Sequence, residues 1–175
     1  LKFLQYCEEI FKQNTNQNSE TANFVKKYLE EERGYNQDII RLFEIGLLPS
    51  EQELINTLID SYKYKEEQAK YHINKLLGVT KHNDNTTNEF AKNNITIAWK
   101  DTEGTVQGFS LRKPTSKKVA NKYMSSKGLQ KSKLLFNLHH YKIESNKKLV
   151  IVEGQFDALA AMYLSMEEIQ AKYHF

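Results

Sequence analysis

Glu153 and Asp157 lie four residues apart around Gly154-Gln155-Phe156, directly after the apolar run Leu149-Val150-Ile151-Val152. A strand, a tight turn and a helix are the expected elements. An acid at the carboxyl end of a parallel strand stands where open α/β sheets place ligands. Asp157, in the first helical turn, can face the same cleft, and Gly154 leaves room for backbone and substrate. Hard carboxylate oxygens beside a phosphate suit Mg²⁺, which takes one or two carboxylates and keeps waters. The structural alternative is an ordinary helix N-terminus, where the dipole favours acids.

A second feature is electrostatic. Residues 112–148 hold 11 Lys/Arg against one acid, Glu144, between two segments that are each net acidic. Such a block fits a polyanion, with nucleic acid first because phosphate contacts carry much of its affinity; a solvated lysine surface is the alternative. His139-His140 are adjacent, so a helix would point them apart. Cys7 on an apolar helix face reads as core. Trp99 reads more readily as core than as a base-stacking platform.

The elements that must position these groups change type along the chain. Phe3, Leu4, Cys7, Ile10 and Phe11 recur on one helical face. A second helix buries Ala22, Val25, Tyr28 and Leu29 and ends at Arg33-Gly34. Asn36 caps a third carrying Ile39, Ile40 and Phe43. Ile45-Gly46 and Pro49 break the chain, Ser50 to Glu53 forms a capping box, and another helix spans about Lys65 to Leu77. Residues 79–94 read as a polar loop. Ile95–Trp99 and Thr105–Leu111 then alternate as a hairpin around Asp101–Gly104. Residues 113–134 read as irregular, Leu135–Ile143 as a short helix and Leu149–Val152 as a buried parallel strand.

Of the 175 residues, 39% are hydrophobic and 27% charged, which excludes wholesale disorder. No run reaches the ~18–20 apolar residues of a membrane helix. No signal peptide is evident at Leu1–Tyr6. A single cysteine excludes an internal disulfide and a Cys-based zinc site within the chain. A cytoplasmic protein is the simple expectation. The missing initiator Met suggests an excised piece.

Ile151-Val152-Glu153-Gly154-Gln155-Phe156-Asp157-Ala158-Leu159-Ala160 resembles the first motif of TOPRIM domains, found in bacterial primases, topoisomerases and some nucleases. Tyr28-Leu29 to Arg33-Gly34, with Ile39, Phe43-Glu44-Ile45-Gly46 and Pro49, resembles the corresponding stretch of DnaG-type primases. Three further segments follow in family order: Asp101 to Arg112, Asn121-Lys122-Tyr123-Met124-Ser125-Ser126, and Lys131 to Leu138. The departures are Ser110-Leu111 where the family has Gly-Gly, Ser125 for Asn, and Gln155 for an aromatic. The family's zinc ribbon, Asp-x-Asp metal motif and C-terminal helicase-binding domain are not in the sequence.

The resemblance implies an α/β (α+β) catalytic core. Residues 1–148 would be its N-terminal subdomain, helical to about 94 and then a hairpin and basic region. Residues 149–175 would open an incomplete TOPRIM domain. The parent would make RNA primers from NTPs on a single-stranded DNA template, by two-metal nucleotidyl transfer with Mg²⁺ or Mn²⁺. Glu153 and Asp157 would be catalytic metal ligands. Arg112, Lys122, Tyr123, Lys131 and Lys133 would hold nucleotide or DNA. A replicative helicase would bind through the absent C-terminal domain, and this fragment alone would be inactive. Another TOPRIM enzyme (a nuclease or relaxase-associated protein) and a non-catalytic single-stranded DNA-binding module remain the alternatives.

Overall fold

A computed structural model describes residues 2–77, 94–115, 117, 118, 122–140 and 150–173. Helix α1 (Lys2–Thr15) buries Cys7, Ile10 and Phe11, as their spacing predicts. The Ser19 hydroxyl accepts from the Ala22 amide and caps α2 (Glu20–Lys27). This helix runs on through a π-helical turn, Tyr28–Glu32, that buries Tyr28 and Leu29. Gly34 closes the turn at φ +71°, its amide donating to the Glu30 carbonyl. Asn36 caps α3 (Gln37–Leu42) through the Ile39 amide at 2.9 Å. The capping box of Ser50 and Glu53 forms at the start of α4 (Glu51–Asp60). Helix α5 spans Glu66–Leu77.

The hairpin forms β2 (Ile95–Lys100) and β3 (Val106–Arg112), and two short strands extend it. Gly46–Leu47 is β1, pairing with β2, and Tyr123–Ser125 is β4, pairing with β3. The antiparallel sheet runs β1-β2-β3-β4. Sequence patterning reads Gly46 as a break and the basic segment as irregular. Strands of two or three residues carry no periodicity to read; only their partners define them.

Alternation along the strands separates two cores. Val106, Phe109 and Leu111 of β3 pack with α1, α4 and α5. Ile95 and Ile97 of β2 pack on the other face with Tyr28, Ile39 and, from α6 (Gln155–Tyr173), Phe156 and Leu159. Ser110 and Arg112 therefore share the α6 face with Trp99.

Glu44 takes a left-handed φ of 51° at the corner before β1. Its carboxylate bridges Lys12 at 3.0 Å and Lys100, which also meets Glu8 at 3.0 Å. Burial pushes the Glu44 carboxyl up, but hydrogen bonds from Lys100 and Lys12 outweigh it and hold it at about 2. The cluster ties α1 to the sheet.

Gly46 lets β1 press against α1. A Cβ there would lie 2.5 Å from Thr96 Oγ1 and 2.9 Å from the Phe11 carbonyl carbon. Gly46→Ala should therefore cost about 1–3 kcal/mol through overpacking. Urea denaturation checks this; an unchanged midpoint would mean that β1 can shift without penalty.

The apolar run before α6 departs from expectation. Leu149 and residues 141–148 lie outside the described residues. Val150–Val152 form no strand, and Val150 and Ile151 are each 71% exposed. A strand apolar on both faces needs a paired neighbour and cover above and below, and among the described residues no strand lies beside it. Of the expected helix over 135–143, the described part holds only a 3₁₀ turn at Leu138–His140.

Candidate functional site

Arg112 ends β3 and is 1% exposed. Its register places it opposite Ile95 on one side and Tyr123 on the other, so Tyr123 is a direct cross-strand neighbour. The guanidinium carbon lies 3.8 Å from the centroid of the Phe156 ring, 5.1 Å from that of Tyr123 and 5.7 Å from that of Tyr28. Nε, Nη1 and Nη2 are all buried without a hydrogen-bond partner, and no ion pair among the described residues includes Arg112. Ring faces attract a cation but leave five N–H donors unmet. Sequence reasoning gives this guanidinium to nucleotide or DNA; strand parity and the docking of α6 bury it among aromatic rings.

A second guanidinium joins it. Arg33 donates from Nε to the Tyr28 hydroxyl at 2.9 Å. It lies 5.3 Å from the Phe156 centroid and 5.7 Å from that of Tyr28. The sequence reading used Arg33 as a helix end and as part of the Tyr28–Gly34 resemblance, without giving it a binding role. The available signal was an arginine just before a left-handed glycine, where the chain turns back toward the sheet.

Phe156 anchors the first turn of α6 to this cluster. The Tyr35 hydroxyl donates to the Phe156 carbonyl at 3.0 Å, and burial pushes the Tyr35 phenol up, keeping it a neutral donor. Asp157, the next residue, is exposed, as is Glu153. A Cβ on Gly154 would stand 2.9 Å from Asp157 Oδ2, so the glycine clears the space beside that carboxylate. No group of three His, Cys, Asp or Glu able to hold a metal occurs among the described residues. Two exposed hard-oxygen donors beside an open backbone still fit one ion that keeps most of its waters, as Mg²⁺ does.

The remaining residues divide. Tyr123 is 52% exposed and lines a cleft of about 640 Å³ with Trp99, Lys131, Phe136 and residues 150–156. Lys131 Nζ lies 5.3 Å over the Trp99 ring, and burial lowers its pKa. Trp99 is thus half-buried at the cleft wall rather than in either core. Lys133 is exposed, and Lys122 is half-buried just before β4. The structure brings Arg112, Tyr123 and Asp157 to one end of the sheet face and Lys131 to the cleft. Lys133 is not among the described residues that line that cleft.

Residues 10–142 match the family model described as the DNA primase catalytic core, N-terminal domain. The chain belongs to this family. Among curated primases, that of Mycoplasma genitalium is 29% identical, over 97% of this chain and 30% of its own length. That of Staphylococcus epidermidis is 25% identical, over 80% of this chain and 23% of its own length. This primase-core chain therefore spans less than a third of either relative. A solved DnaG primase catalytic domain bound to single-stranded DNA shares the fold with a TM-score of 0.67 at 23% identity, covering 92% of this chain and 51% of that one. Both relatives carry the name DNA primase, and the mixed helical and sheet architecture agrees with the solved catalytic domain. No helix among the described residues is long and apolar enough to cross a membrane.

Proposed function

We propose that this chain is the template- and nucleotide-binding part of a DNA primase, whose longer form joins NTPs into RNA primers on single-stranded DNA. Residues 1–148 form the N-terminal subdomain of the core, and 149–175 open its TOPRIM domain. The observation that carries this reading is the buried Arg112 guanidinium, unpartnered and adjacent to the helix turn that bears Asp157. A charge held dry without an acceptor is costly, and a phosphate oxygen would relieve that cost with a charge-assisted bidentate contact. Arg33 supplies a second fork to the same anion. Lys122 and Lys131 place point charges along the strand, and Tyr123 offers a ring face to a base. Lys133 contributes at longer range. Glu153 and Asp157 hold Mg²⁺ or Mn²⁺, which when bound supplies charge stabilisation to the phosphoryl transfer.

The test is the affinity of the chain for a single-stranded oligonucleotide at rising salt. Log K should fall linearly with log salt at a slope of about −0.7 for each phosphate neutralised. Lys122→Glu and Lys131→Glu should each lower affinity further and flatten the slope. Affinity unchanged between low and moderate salt would remove the reading.

A further inference from the structure

The geometry points to a nucleobase subsite on the face of Trp99, a deeper reading of the same site that rests on the nucleic-acid function proposed above. Trp99 stands on the α6 face of the sheet and lines the cleft. Its indole N–H donates to the Ser110 hydroxyl at 2.7 Å. That bond satisfies the ring's only polar atom and fixes its orientation before any ligand arrives, so little ordering remains to be done on binding. Phe136 approaches it with centroids 5.5 Å apart at 61°. The cleft, at about 640 Å³, lies within the size range of small-ligand sites.

Among the described residues an ammonium stands over the ring, which Phe136 meets at an angle. Lys131 Nζ lies 5.3 Å over the indole. A cation over a partly solvated ring is held weakly, whereas base–aromatic stacking is stronger and tolerant of base identity. Lys131 is an exposed residue, so its ammonium can swing from the ring to a phosphate. The two moves belong together. The phosphate draws Lys131 aside, and the base attached to that phosphate takes the face that Lys131 leaves. An aliphatic side chain at 99 could pack the cleft wall but would offer no such face. The ligand class is a nucleobase carrying a phosphate, from a free nucleotide or from a DNA strand.

Trp99 is the only tryptophan in the sequence, so its fluorescence reports the site directly. The chain is titrated with a single-stranded oligonucleotide, with an abasic strand of the same length, with ATP and with inorganic triphosphate. Ligands that carry bases should quench the emission; the abasic strand and triphosphate should bind without comparable quenching. Quenching by the oligonucleotide alone assigns the base to the DNA strand, and quenching by ATP assigns it to the free nucleotide. Anisotropy of a labelled oligonucleotide should show about ten-fold weaker binding to Trp99→Leu, near-native binding to Trp99→Phe and no change for the abasic strand. Circular dichroism establishes that each variant is folded, and if Trp99→Leu is not, the ligand comparison on the native chain decides alone. Equal quenching by base-bearing and abasic strands overturns the subsite. So does salt-dependent binding with no quenching, which leaves the nucleic-acid reading standing. Absence of binding by every strand at low salt removes both.

Discussion

Replacing Arg112 with methionine should make the fold more stable and cost it most of its affinity for single-stranded DNA. The two effects have opposite signs because one group causes both. In the ligand-free chain the guanidinium is 1% exposed and its nitrogens meet no acceptor. Contacts with Phe156, Tyr123 and Tyr28 recover only part of the lost hydration. A methionine fills similar volume among the same rings and carries no charge, so a gain of about 1–3 kcal/mol is expected, read as a higher urea midpoint at unchanged slope. Binding should fall at least ten-fold, because a charge-assisted bond to phosphate is lost (about 1.5–3 kcal/mol). Arg112→Lys separates charge from shape. Lysine keeps the charge but not the fork, so it should recover little of the affinity. A methionine variant that is less stable and binds DNA normally would make Arg112 a pillar of the ring cluster and nothing more.

Glu153→Gln in the longer primase should abolish primer synthesis while leaving DNA binding largely intact. Both carboxylates of the motif are exposed at the start of α6, where they can reach an ion and its phosphate without crossing the aromatic cluster. In-line transfer uses two metals about 3.5–4 Å apart. Two carboxylates alone hold one ion loosely, so the 175-residue chain should itself be silent in a primer assay with NTPs and Mn²⁺. Asp157 has a second role open to it, since an acid in the first helical turn stabilises the helix by about 0.3–1 kcal/mol. Asp157→Asn should therefore show both a small loss of stability and a large loss of synthesis. Synthesis that survives Glu153→Gln would deprive Glu153 of its place as a metal ligand, and robust synthesis by this chain would refute the need for further carboxylates.

Local chemistry made much of the scaffold legible before any fold was known. The Ser50–Glu53 capping box, the Asn36 cap and the left-handed Gly34 depend on residues within a few positions of one another, and the Ile95–Leu111 hairpin on adjacent segments joined by a short turn; each formed as read. The order of motifs also pointed to the primase family. Tertiary structure alone decided the rest. β1 and β4 exist because β2 and β3 lie beside them. Val150–Val152 carry a buried strand's composition yet stand exposed, because composition supplies apolar faces but not the neighbours that cover them. Arg112 changed most. Its type and position suggested an anion contact, but strand parity turned it to the α6 face, and Phe156 closed over it from 44 positions along the chain. Arg33 came to the same ring cluster from the other direction. Side-chain type sets which contacts a residue can make. Burial and partners depend on segments far apart in sequence, and only packing brings those together.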